Sequence, residues 1–151
     1  MLEGSYAYRF NGFAVDLAVP SYVIGVGTMT FGPGGSINGY HRSSGTQLGG
    51  GGSVMEVAEF TLTGTLGLSA KPYGSQDLEA KITFTMIERR GGAPTHQILH
   101  GTFHFIPAGG VADPGERFWF ISTGATHQTS GLAADEVISG EGVRMGPLPV
   151  G

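Results

Sequence analysis

Three of the chain's five histidines lie four residues apart in residues 96–105, HQILHGTFHF. On an α-helix, side chains at this spacing lie close enough to hold one metal ion. The segment is rich in residues that favour strands, however, including Phe103 and Phe105. Because each strand residue advances about 3.3 Å, His100 and His104 would lie about 13 Å apart on a strand. That is too far for two ligands of one zinc ion, so we expect no metal here.

The two faces of this predicted strand differ in chemistry. Phe103 and Phe105 fall on one face, whereas His96, His100 and His104 fall on the other. In a soluble β protein the aromatic face is expected inside, which leaves the histidines outside. The alternative is that the histidines line a cavity and a partner subunit covers the phenylalanines. We favour the first interpretation.

Two candidate catalytic residues are predicted to point inward from other strands. Tyr8 alternates with Tyr6 and Phe10, so all three are expected on the inner face. A five-residue loop in the next hairpin would pair Gly27 with His41 and turn His41 inward. A slip of one residue would instead expose His41. Tyr8 could also be an ordinary core tyrosine with its hydroxyl at the rim.

The third candidate, Glu141, shares a face with Val137 and other apolar residues of the last predicted strand. If that face is buried, the pKa of the carboxyl rises, as a general acid or base near neutral pH requires. If Ile138 is the core residue instead, Glu141 faces solvent. The first and last strands of a barrel are neighbours, so Glu141 could approach Tyr8. The hypothesis is that Glu141 titrates while Tyr8 and His41 position a ligand.

The elements that must position these residues are short alternating runs separated by turns. The chain has 28 glycines, far too many for a helical bundle, since an interior helix glycine costs roughly 1 kcal/mol. The predicted strands span residues 5–14, 22–31, 36–44, 56–69, 78–88, 97–106, 116–123 and 136–145. Eight consecutive strands predict an all-β fold, a single antiparallel up-and-down β-barrel domain over residues 1–151, because closure removes the exposed edges.

Composition excludes several classes of protein. The net charge of −4 argues against a nucleic-acid partner, and the absence of cysteine excludes disulfides and thiolate chemistry. The sequence has no dinucleotide or phosphate-loop motif, so we expect no cofactor. It has no apolar run long enough for a membrane helix, and we expect no membrane partner. Without a visible signal peptide we expect a cytoplasmic protein, or a secreted one if a leader has been removed.

Two segments carry a resemblance to a known family. Residues 31–39, FGPGGSING, resemble the F-D-G-x-G-N-V-x-G hairpin of a family of small, uncharacterised bacterial β-barrel proteins, with Gly32 in place of the usual Asp. Phe120-Ile-Ser-Thr123 and Val137-Ile-Ser-Gly140 resemble the closing F-I-S-T and V-V-S-G elements of that family. The resemblance implies a calycin-like or allene-oxide-cyclase-like barrel and implies no activity.

An eight-stranded barrel can enclose one small ligand, so the sequence predicts binding of a small hydrophobic molecule inside it. The predicted lining, beside the three catalytic candidates, is Tyr6, Phe10, Met29, Phe31, Phe60, Phe84, Phe103 and Phe118. A cofactor-free isomerase or cyclase is one form of this function, since such an enzyme needs mainly a shaped cavity and one or two polar groups. The alternatives are a non-catalytic carrier and a fully packed structural or interaction barrel. An outer-membrane barrel would need the opposite alternation, polar inside and apolar outside.

The strand around Trp119 suggests an interface. If Phe118 and Phe120 point inward, Trp119 and Ile121 are left outside on a strand with few charges. Exposed patches of this kind often mark contacts between subunits. We therefore expect a homodimer or homotrimer that uses this strand.

Overall fold

Eight long strands make up almost all of the chain that can be described. The computed structural model describes residues 2–16, 19–47, 55–69, 77–90, 98–127 and 135–146. The strands are Gly4–Asp16 (β1), Val19–Phe31 (β2), Ser36–Gln47 (β3), Met55–Leu68 (β4), Leu78–Arg90 (β5), Ile98–Gly110 (β6), Asp113–His127 (β7) and Asp135–Arg144 (β8). A short 3₁₀ turn, Pro33–Gly35, lies between β2 and β3.

Each strand pairs antiparallel with the next, and β8 pairs back onto β1 to close the barrel. The predicted eight-stranded up-and-down barrel is confirmed. Closure satisfies the backbone groups that an open sheet would leave at its edges. In the described part of the chain, no helix is long and apolar enough to cross a membrane.

Alternation along the strands sorts residues between the interior and the outer surface. On β5, Ala80, Ile82 and Met86 are buried, whereas the intervening Lys81 is exposed. The β2–β3 register pairs Gly27 with His41, as predicted, so His41 faces inward. The interior has a lower end, where β2 leads into β3, and an upper end, where β1 leads into β2.

The lower end is packed solid with large side chains. Its fully buried members are Tyr6, Phe31, Ile37, Leu62, Phe105 and Phe118. The Tyr6 ring meets Phe31 and Phe118 edge to face, with centroids 5.4 and 5.2 Å away. Edge-to-face pairs of this kind add about 0.5–1.5 kcal/mol beyond their burial.

A polar network ties the lower end together where the barrel closes. The Tyr6 hydroxyl donates to the Gly115 carbonyl oxygen and accepts from Arg144 Nη2 at 2.9 Å. Arg144 forms an ion pair with Asp113, and its guanidinium carbon lies 5.3 Å from the centroid of the Tyr6 ring. Because Tyr6, Arg144 and Asp113 belong to β1, β8 and β7, the network links the strands on both sides of the closing seam.

The predicted inner face of β8 is wrong by one residue. The inward positions are Ile138, Gly140 and Gly142, and Val137 is 74% exposed on the outside. An added Cβ at Gly140 would overlap the ring of Phe120 as well as backbone, so the glycine supplies space for that ring. The inward glycines carry no hydrophobic signal, whereas the outward positions of this strand include valines. The sequence pattern therefore assigned the outward face of β8 to the interior.

The role of Gly140 can be tested with one methyl group. Gly140→Ala would place a Cβ against the Arg9 carbonyl oxygen and the Phe120 ring, so we expect it to lower the free energy of unfolding by about 1–3 kcal/mol. Gly67→Ala on β4 is the matched control, since no atom lies within 4 Å of its added Cβ. Urea unfolding measures both, and equal stability of the two variants would contradict this packing.

Candidate functional site

A hydrogen-bonded pair, Tyr8 and His41, lies inside the barrel. The hydroxyl oxygen of Tyr8 is 2.8 Å from Nδ1 of His41. Tyr8 is 5% exposed and His41 is 7% exposed. The two residues lie on β1 and β3, on either side of Gly27 of β2. An added Cβ at Gly27 would overlap the Tyr40 carbonyl oxygen and Cβ of His41, so a side chain at this position would displace His41.

Aromatic rings surround the pair on its inner side. The His41 ring lies 5.0 Å from Phe10, 5.0 Å from Phe60 and 5.4 Å from Phe84, measured between centroids. Burial lowers the pKa of His41 to about 4 and raises the pKa of Tyr8 well above its usual range. Both groups are therefore neutral near pH 7.

The pair leaves one polar atom without a partner. The Tyr8 hydroxyl bonds to His41 and to no other described residue, so it is best satisfied by donating to Nδ1. The proton of the neutral imidazole then resides on Nε2. Within the described ranges, Nε2 of His41 has no hydrogen-bond partner. Such buried polar groups are nearly always paired, with protein, water or ligand.

The predicted ligand-lining residues all face inward, but they divide into two groups. Tyr6, Met29, Phe31 and Phe118 belong to the packed lower core. Phe10, Phe60 and Phe84, around His41, keep part of their surface accessible to solvent. Phe103 is buried against Phe84. The partly accessible rings of Phe10, Phe60 and Phe84 and the Nε2 atom of His41 thus lie in the same part of the interior.

Glu141 does not join this site, and its predicted interior position is wrong. It lies on the outer face of β8, where Nε of Arg9 donates to its Oε1 at 2.8 Å. The cause is the glycine-lined inner face of β8, which turns Glu141 outward together with Val137. Of the three predicted catalytic residues, only Tyr8 and His41 are brought together.

The outward orientation predicted for the histidine face is confirmed for His100 and His104. His100 is exposed, with Nδ1 3.0 Å from the hydroxyl of Thr83. His104 Nε2 lies 3.6 Å from a carboxylate oxygen of Asp77. His96 lies outside the described residues. Among the residues described, no three His, Cys, Asp or Glu side chains are grouped to hold a metal ion.

The outer surface carries a groove of about 920 Å³ that the sequence did not predict. Its side chains come from the outward positions of β7, β8 and β1 to β4, including Ile24, Val26, Trp119 and Ile121. The inward residues that border it, such as Gly25 and Gly140, each lie between two outward ones. The predicted outward orientation of Trp119 and Ile121 is confirmed.

Comparison of the chain with protein-family models, with curated proteins and with solved structures finds no match in any of the three. The resemblance of the β2–β3 hairpin and the closing motifs to a family of small β-barrel proteins stays a prediction. A functional proposal therefore depends on the Tyr8–His41 pair and its surroundings.

The buried histidine should make stability depend on pH. The folded pKa of His41 is about 4 and the unfolded pKa is about 6.5, so the unfolded chain binds the extra proton between these values. Stability is then fully present above pH 6.5 and is lost as the pH falls toward 4. We expect this residue to contribute a loss of about 2–3 kcal/mol between pH 7 and pH 4.5.

Urea unfolding at the two pH values measures this loss, with the double variant Tyr8→Phe/His41→Phe as reference so that carboxylate effects cancel. The reference should lose about 2–3 kcal/mol less than the wild type. His100→Gln, which removes an exposed imidazole, should keep the wild-type loss. A double variant with the same pH dependence as the wild type would show that His41 is not buried in neutral form.

Proposed function

We propose that the barrel binds a small, mostly hydrophobic molecule in the upper half of its interior, with one polar atom of that molecule held by His41. The observation that carries this proposal is the buried Tyr8–His41 pair, whose Nε2 has no partner in the described chain. The partly accessible rings of Phe10, Phe60 and Phe84 supply an apolar wall around that nitrogen. Pockets of this kind combine a largely apolar lining with a few placed polar groups.

The chemistry of the pair narrows the ligand class. A neutral imidazole with its proton on Nε2 donates one hydrogen bond, which suits a carbonyl, ether or hydroxyl oxygen. The pair carries no charge near pH 7, so it offers no compensation for burying a carboxylate or an ammonium group. A neutral ligand with an aromatic or polyene body and one oxygen fits these groups.

Catalysis is the narrower form of the proposal. With Glu141 outside, Tyr8 and His41 are the two predicted catalytic residues that remain inside the barrel for a cofactor-free isomerase or cyclase. A histidine with a pKa of about 4 is a weak base at neutral pH. Its remaining contribution would be to polarise a bound carbonyl by hydrogen bonding. Binding without turnover, as in a carrier, requires only that these two residues hydrogen-bond the ligand, and it is the function we favour.

A packed structural barrel is the second candidate, and the solid lower core favours it. Stability measurements separate the two candidates. Tyr8→Phe alone leaves the buried Nδ1 of His41 without its hydrogen-bond donor, so we expect it to lower the free energy of unfolding by about 1–3 kcal/mol. Tyr8→Phe/His41→Phe removes both partners, so its free energy of unfolding should equal or exceed that of the wild type. A polar pair that can be replaced at no loss of stability is kept for something other than packing.

Two probes of similar shape test the binding site directly. 2-Acetylnaphthalene carries a carbonyl oxygen, and 2-ethylnaphthalene lacks it. We expect the wild type to bind both in equilibrium dialysis, with the carbonyl favouring the acetyl compound. In the Tyr8→Phe/His41→Phe variant the affinity ratio of acetyl to ethyl compound should fall by about three- to tenfold, the worth of one net hydrogen bond.

The control is Trp119→Gln, which alters the outer groove and should leave the ratio unchanged. Absence of binding to the wild type, or an equal ratio in the wild type and the double variant, would contradict the proposal. Loss of binding in the Trp119 variant alone would place the probes in the outer groove and would also contradict it.

A further inference from the structure

The outer surface of the barrel is apolar on one side. On β7 and β2 the exposed residues include Trp119, which is 57% exposed, and Val26, which is 62% exposed. The outward positions of β4 and β5 are more polar, since they carry Thr61, Thr63 and Lys81, although Leu68 and Ile87 of these strands are also exposed. We call the outward side of β7, β8, β1 and β2 the four-strand face. Exposed apolar patches of this kind mark interaction sites.

The strand registers arrange this face in rows that run across it. One row, from β7 to β2, reads Trp119, Glu141, Arg9, Val26. The next row reads Ile121, Ser139, Asn11, Ile24. In both rows the residues at the two ends, on β7 and β2, are apolar, and the two residues between them, on β8 and β1, are polar. In the first row these two middle residues, Glu141 and Arg9, carry opposite charges on the two sides of the β8–β1 seam.

This order makes the face complementary to itself. A two-fold axis that runs along the β8–β1 seam, between two copies placed face to face, brings β8 of one copy opposite β1 of the other. Glu141 then faces Arg9 of the second copy, while Trp119 and Val26 lie at the two edges of the contact. Every such contact occurs twice, as in any isologous interface.

The neighbouring rows obey the same rule. Ser139 faces Asn11 of the second copy, which pairs a hydroxyl with an amide, while Ile121 and Ile24 lie at the two edges of that row. One row further toward the upper end, Val137 pairs with Phe13 across the seam, so these two apolar residues also meet across the axis. Like charges do not meet in any of these contacts.

We propose that two copies of this chain form a homodimer through the four-strand face, with the two-fold axis along the β8–β1 seam. The charge pattern selects a second copy over other occupants. Arg9 and Glu141 already neutralise each other within one chain, so the face has no excess of positive charge for nucleic acid or an anionic membrane. The dimer lies on the outside of the barrel and does not depend on ligand binding in the interior.

Charge reversal tests the axis as well as the face. Sedimentation equilibrium of the wild type should give twice the chain mass of 15.6 kDa. Arg9→Glu and Glu141→Arg each place like charges opposite one another at two contacts, so each should weaken dimerisation by at least about tenfold. The exposed ion pair within one chain contributes little to stability, so both variants should still fold.

Mixing the two variants is the decisive step. A heterodimer of Arg9→Glu with Glu141→Arg places only opposite charges across the axis, while the pair within each chain stays broken. Dimers should therefore form in the mixture and not in either variant alone. Lys81→Glu is the matched control, since this exposed charge lies on β5, away from the face, and the variant should dimerise like the wild type.

A monomeric wild type would overturn the proposal, and so would a dimer that survives Arg9→Glu and Trp119→Glu. Failure of the mixture to dimerise would overturn the axis. Wild type that stays monomeric but sediments with phosphatidylcholine vesicles would assign the face to a membrane instead and would also overturn it.

Discussion

The interior of an eight-stranded barrel is just wide enough for side chains to fill it or for one small ligand to enter, and this limited width constrains everything else in the molecule. A large ring from one wall needs an empty position nearby. Phe120 uses the space at Gly140, and Phe10 uses the space at Gly25. Gly27 in the same way leaves room for His41 beside Tyr8. The many glycines thus shape a narrow barrel, and they determine where rings and polar groups can lie.

The lower and upper halves of the interior use this width differently. At the lower end the space is filled, and the buried guanidinium of Arg144 is paired with Asp113 and bonded to Tyr6. In the upper half, the imidazole of His41 lies among aromatic rings with one nitrogen unpartnered in the described chain. A satisfied network stabilises, whereas a partly satisfied one costs stability. That contrast is why the upper half, and not the lower, is the candidate site.

The fold could be predicted because alternation is strong where inward positions carry large apolar residues, as on β1 and β5. The β2–β3 register followed from loop length, so His41 was correctly turned inward. Glu141 was misplaced because its strand faces inward through Gly140 and Gly142, which give no hydrophobic signal. The bond between Tyr8 and His41 joins residues two strands apart and could not be read from period two alone. The same is true of the rows on the outer face, which need three registers at once.

The proposed function depends on a His41 that is buried and neutral, with its proton on an Nε2 that has no partner among the described residues. Long-range ¹H–¹⁵N correlation spectra report the protonation and tautomer of each histidine ring directly. We expect one ring to keep the Nε2-protonated neutral form from pH 8 down to about 5, and its Nε2 resonance to shift when 2-acetylnaphthalene is added. That ring should be missing from spectra of Tyr8→Phe/His41→Phe. A His41 ring that titrates near its ordinary pKa of about 6.5 would contradict the account.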